Sequence, residues 1–114
     1  MPYAPIMAWT SLCDVTEVPK DGGKYVEIDG YRLAVFLQEG VPRVMDDACP
    51  HAGGPMSGGW VDDGCAICPF HGWAFQLETG ELKGHPLMSI SVYKTRLYKR
   101  EGHPDLIQAD LPMP

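Results

Sequence analysis

The sequence predicts an all-β protein, a small sandwich or barrel, and three observations lead there. Turn signals are dense, with Asp29-Gly30, Glu39-Gly40, Asp63-Gly64, Thr79-Gly80 and Glu101-Gly102 recurring through the chain. Between them lie short runs rich in β-branched and aromatic residues. No stretch of a dozen residues keeps a 3.6-residue apolar period, so no long amphipathic helix is expected.

Taken in order, the first strand is expected at residues 9–12. Residues 25–28 and 31–36 flank Asp29-Gly30, the pattern of a two-residue hairpin. Further strands are expected at 43–46, 65–67, 74–77, 89–93 and 95–99, with a last short one at 106–108. Residues 47–73 break this rhythm, holding six glycines and three prolines around the single expected strand 65–67. That region reads as two loops forming a subdomain of about residues 47–80. Residues 110–114 are expected to be poorly ordered. The chain shows no internal repeat and no low-complexity tract.

A length of 114 residues suits one domain spanning 1–114. A chain of that size holds a core without disulfides, so its four cysteines need not be staples. The net charge of −6 argues against nucleic acid or an anionic membrane as partner. Residues 1–7 lack the basic and long apolar segments of a signal peptide. The longest apolar run, Leu33-Ala34-Val35-Phe36-Leu37, is far too short to span a bilayer. A cytoplasmic location is expected, where clustered thiols more often bind metal than pair as disulfides.

The chemistry concentrates in two short pairs, Cys49-Pro50-His51 and Cys68-Pro69-Phe70-His71, separated by sixteen residues. Each loop offers one thiolate and one imidazole. A [2Fe–2S] cluster with thiolates on one iron and imidazoles on the other needs that complement. Cys65-Ala66-Ile67-Cys68 is also a C-x-x-C, which with His51, His71 or Cys49 makes a tetrahedral zinc site the alternative. Zinc ribbons usually show two C-x-x-C knuckles, whereas the first loop here is C-x-H.

These loops, with their Pro and Gly flanks, resemble the Rieske iron–sulfur family, strongly over residues 47–80 and in strand order over about 8–108. The resemblance implies a Rieske-type β-sandwich or barrel with the cluster-binding subdomain inserted as two loops. It implies that Cys49 and Cys68 hold the buried iron of one [2Fe–2S] cluster, and His51 and His71 the outer one. Two ferric ions, two sulfides and two thiolates sum to about zero charge, falling to about −1 on reduction, which raises the potential above that of all-thiolate clusters. Respiratory and photosynthetic members brace the loops with a disulfide; the matching positions here are Gly54 and Phe70, so that bridge cannot form. Their Ser and Tyr hydroxyls correspond here to Trp73 and Phe75. With fewer donors the expected potential lies at the low end of the Rieske range.

Such a cluster moves one electron at a time. No Gly-rich dinucleotide fingerprint is present, and after two histidines are committed only His85 and His103 remain for a second iron site. The chain is therefore expected not to be an enzyme by itself. It is expected to be a soluble electron carrier passing electrons from a flavin-dependent reductase to a terminal oxygenase, docking through Asp46, Asp47, Asp62 and Asp63. The alternative is a Rieske-like small subunit serving the large subunit of an NADH-dependent nitrite reductase. A structural cluster in a sensing module is a third class. Cys13 and Cys65 read as small core residues, His85-Pro86 as a turn that either lines the cluster site or faces solvent, and His103-Pro104 as a plain turn. Trp60 and Trp73 flank the loops and are expected to shield the iron or simply to pack.

Overall fold

The computed structural model describes residues 8–50 and 53–112, the side chain of Pro86 excepted. The readings made for residues 1–7, for His51 and for the last two residues of the tail lie outside them. Twelve strands are described: β1 (Trp9–Asp14), β2 (Lys24–Ile28), β3 (Tyr31–Gln38), β4 (Val41–Asp46), β5 (Trp60–Asp62), β6 (Cys65–Ile67), β7 (Ala74–Gln76), β8 (Glu81–Leu82), β9 (His85–Ser89), β10 (Val92–Tyr93), β11 (Thr95–Arg100) and β12 (His103–Asp110). Among the described residues, short 3-10 turns at Val15–Glu17 and Met56–Gly58 are the helical content. Three antiparallel sheets result, ordered β1-β12-β11, β10-β4-β3-β2 and β5-β6-β7-β8-β9.

The four-stranded sheet is covered on both faces, which explains the apolar run in β3. Alternate residues of a strand point to opposite faces. Leu33 and Val35 pack with Val44, Ile107 and Ala109 toward the β1-β12-β11 sheet. Ala34 and Phe36 pack with Met45, Met56 and Phe75 toward the five-stranded sheet. A strand that buries both faces loses polar alternation and reads as a continuous hydrophobic run. The second of these clusters also contains Cys49 and Cys68, so the loops are seated on the core rather than hung from it.

Several expectations need correction. Residues 47–73 hold a second strand, β5, which pairs Trp60 with Ile67 and Asp62 with Cys65. The segment 89–93 is two strands, β9 and β10, and β9 starts at His85, so His85-Pro86 opens a strand instead of a turn. His103-Pro104 likewise opens β12, with the turn made at Gly102. The tail is anchored through residue 112: Asp110 lies in β12, the Leu111 amide donates to the Ala8 carbonyl at 3.1 Å, and Leu111 is buried. The Tyr31 hydroxyl donates to the Pro112 carbonyl.

Cys13 and Cys65 are buried, as the sequence suggested. Burial, assisted by the Glu17 carboxylate, pushes the Cys13 thiol up from 9.0 to about 11. Between those values the unfolded chain releases a proton that the folded chain keeps, so stability is lost as pH rises through this window. We expect urea midpoints to fall between pH 8.5 and about pH 10.5, and Cys13→Ala to shrink that fall. An unchanged pH dependence in the variant would contradict the assignment.

Candidate metal centre

Two loops of the same construction carry the cysteines. In the first, Ala48 bridges Pro55, the Cys49 amide donates to the Gly54 carbonyl at 2.9 Å, and the Gly53 amide donates to the Cys49 carbonyl at 2.7 Å. In the second, Ile67 pairs with Ala74, the Cys68 amide donates to the Trp73 carbonyl at 2.8 Å, and the Gly72 amide donates to the Cys68 carbonyl at 3.2 Å. Each bond in one loop has its counterpart nineteen positions on in the other (68 − 49 = 19). The local reason is a shared Cys-Pro-x-x-Gly, residues 49–53 and 68–72. Proline holds the cysteine before it extended. Gly53 and Gly72 both adopt φ +70, the left-handed conformation in which each loop turns back. The chain thus contains a short repeat that the sequence reading overlooked.

The loops bring the two thiols together. Cys49 and Cys68 are fully buried, and a hydrogen bond joins them. Burial foremost, and that bond with Cys49, push the Cys68 thiol up, while the Phe70 amide donates to its sulfur and draws it down. The donor reaching the Cys68 sulfur is a backbone amide rather than a hydroxyl. His71 sits on the exposed side of the second loop with φ +69, a conformation uncommon for non-glycine residues that histidine adopts more readily than most. His51 lies outside the described residues, and among the described residues no group of three His, Cys, Asp or Glu side chains converges as a metal site. What is preformed is the thiol pair. A buried two-sulfur floor with an imidazole on the outer loop fits a group whose two irons want different ligands.

The C-x-x-C does not act as a unit. Cys68 faces Cys49, whereas the groups acting on Cys65 are Lys83, Asp63 and Asp62. Three positions apart on an extended chain, the two thiols point to opposite sides. His85 is exposed and its ring stacks on Trp73 at 6.5 Å and 13°, beside a hollow of ≈ 320 Å³ lined by Gly72, Trp73, Lys83 and His85. Trp60 is half-exposed on β5 and Trp73 half-buried against the core. A hollow of ≈ 630 Å³ between Trp9, Arg43, Val92 and Lys94 contains no residue of either loop.

Two of the four carboxylates assigned to docking are engaged internally. Asp46 accepts the Tyr93 hydroxyl at 2.6 Å. Asp47 organises the first loop: its amide donates to the Arg32 carbonyl, its carbonyl accepts the Met56 amide, and its Oδ1 accepts the Ser57 amide at 2.8 Å. Asp62 and Asp63 are exposed, and Asp63 pairs with Lys83 at 3.2 Å. Among the described residues no helix is long and apolar enough to cross a membrane.

A family model described as Rieske [2Fe-2S] domain matches residues 8–94. The biphenyl dioxygenase ferredoxin subunit of Pseudomonas sp. (strain KKS102) is 31% identical over 107 residues, 92% of this chain and 98% of that protein. Cholesterol 7-desaturase nvd 2 of Ciona intestinalis is 38% identical over 81 residues, 68% of this chain; the chain spans only 18% of that protein's length. Among solved structures, a candidate NADH-dependent nitrite reductase small subunit from Mycobacterium tuberculosis superposes with a TM-score of 0.78 at 27% identity, covering 93% of this chain and 97% of that one. A complex of reduced oxygenase and oxidized ferredoxin in carbazole 1,9a-dioxygenase matches with a TM-score of 0.72 at 25% identity, covering 90% of this chain and 92% of that one.

Proposed function

We propose that this chain, which belongs to the Rieske [2Fe-2S] domain family, is a one-electron carrier that supplies a terminal oxygenase with electrons from a flavin-dependent reductase. A bound [2Fe–2S] cluster supplies the one-electron chemistry. Cys49 and Cys68 would hold one iron and His51 and His71 the other. The observation that carries the reading is the pair of joined, buried thiols at matching places in twin loops, with His71 on the exposed side. Burial of the thiols keeps water from the sulfurs. His71, on the exposed side of the second loop, would turn that edge of the cluster toward a partner. The likeness to a ferredoxin subunit over 98% of that subunit's length supports a carrier in preference to a catalytic part. Residues 1–114 would act as one unit, with the ligand loops as its subdomain, and the setting would be the cytoplasm.

A specific observation favours a second reading. The nitrite reductase small-subunit fold superposes at least as well as the ferredoxin in the oxygenase complex, with TM-scores of 0.78 and 0.72. Co-elution with a large reductase subunit through gel filtration at low protein concentration would favour it. A chain that exchanges freely between reductase and oxygenase favours the shuttle.

The ligand sulfurs' surroundings make the test quantitative. Neither Trp73 nor Phe75 offers a hydroxyl, and the donor at Cys68 is the Phe70 amide. The extra negative charge of the reduced state is then little stabilised. We expect a redox titration to give a midpoint near −150 mV, the low end of the Rieske range. A midpoint above about +100 mV, well inside that range, would contradict this account.

A further inference from the structure

We propose that Phe70 is a positioning residue, whose ring lies on the backbone of Gly54 and locks the two ligand loops to each other. The inference rests on the carrier reading for its purpose but on geometry for its substance. Backbone hydrogen bonds close each loop on itself, and all four cysteines are free, so no disulfide ties one loop to the other. A Cβ placed on Gly54 would meet Phe70 Cδ2 at 2.6 Å, Cγ at 2.9 Å and Cε2 at 3.1 Å. Contacts with consecutive ring atoms mean the aromatic ring sits directly over the Gly54 Cα.

The adjacent glycines separate the two reasons a glycine is needed. Gly53 has φ +70 and nothing within 4 Å of an added Cβ, so its backbone conformation is the reason. Gly54 is not in the left-handed region, so its backbone would accept alanine. What excludes a side chain at Gly54 is the Phe70 ring. That ring rests on the residue whose carbonyl accepts the Cys49 amide, while the Phe70 amide donates to the Cys68 sulfur. One residue thereby touches the supports of both thiols. The ring is 48% exposed, so truncating it removes little core packing, and its loss should register in the loops and not in the fold.

A double-mutant cycle tests this on the full chain as purified: wild type, Phe70→Ala, Gly54→Ala, the double variant, and Phe70→Leu. Two rates are read, amide hydrogen exchange at Cys49, Gly53 and Gly72, and bleaching of the visible absorbance by a ferrous chelator. Phe70→Ala and Gly54→Ala should each speed both by about tenfold, a coupling typical of residues in contact. Exchange in β3 should stay unchanged. The double variant should be no worse than Phe70→Ala, because without the ring the added methyl meets nothing, and Phe70→Leu should recover part of the loss. Gly54→Ala costing as much without Phe70 as with it would overturn the proposal, as would wild-type rates in Phe70→Ala. A wild type that binds no cluster would overturn the carrier reading instead, and loop exchange would still decide the lock.

Discussion

Cys68→Ala is expected to give a folded protein that binds no cluster, and Cys65→Ala one that still binds it. The two cysteines are three residues apart and both buried, so burial alone does not separate them. Their partners do. Cys68 is hydrogen-bonded to Cys49 in the floor between the loops, whereas Cys65 faces Lys83 and Asp63. Cys68 and Cys49 would hold one iron between them, and with Cys68 fully buried water could not readily take the place of a lost thiolate. The loss should exceed the roughly 100-fold that removal of an outer hydrogen-bond partner costs a metal site. The sheets do not depend on the sulfur, since Cys to Ala deletes one atom from a core anchored by Phe36, Met45 and Phe75. Iron analysis and visible spectra of both variants check this. Equal iron loss in the two would place both cysteines of the C-x-x-C in the ligand set and contradict this separation.

The second large effect is on potential. His71→Cys should lower the midpoint from about −150 mV toward the roughly −400 mV of all-thiolate clusters. Replacing a neutral imidazole by a thiolate makes both oxidation states more negative by about one charge, and the reduced state suffers more. Backbone conformation adds a smaller cost. His71 holds φ +69, a region that histidine occupies more readily than most side chains. Some loss of yield is therefore expected alongside the shift. An unchanged midpoint would remove His71 from the ligand set.

Much of this arrangement was legible because local chemistry dictated it. Asp29-Gly30 gave the β2–β3 hairpin, with both residues at positive φ and Ile28 paired with Tyr31. Cys65–Ile67 was legible to the residue, since Gly64 and the Cys-Pro that follows delimit it. Less legible were features set by distant partners. β5 is short and half-exposed, and only pairing with β6 makes it a strand. His85-Pro86 and His103-Pro104 look like turns locally, yet sheet pairing draws both into strands. Asp46 and Asp47 read as surface charge until Tyr93 and Ser57 are seen to use them. The repeated Cys-Pro-x-x-Gly was available in the sequence. Its two histidines fall at different places in the repeat, third in one loop and fourth in the other, which hid the equivalence. That Phe70 and Gly54 are neighbours was implied only by the resemblance, which puts them where other members carry the bridging cysteines. That the ring lies on the glycine backbone sixteen positions away (70 − 54 = 16) was not legible.

The central claim is that two thiolates and two imidazoles hold one redox-active cluster. Electron paramagnetic resonance of the dithionite-reduced protein, with nitrogen couplings resolved by pulsed methods, tests it most directly. The account predicts an anisotropic signal with an average g below that of all-thiolate clusters and couplings from two imidazole nitrogens, at a low midpoint in the same sample. A colourless, signal-free protein containing zinc would contradict it.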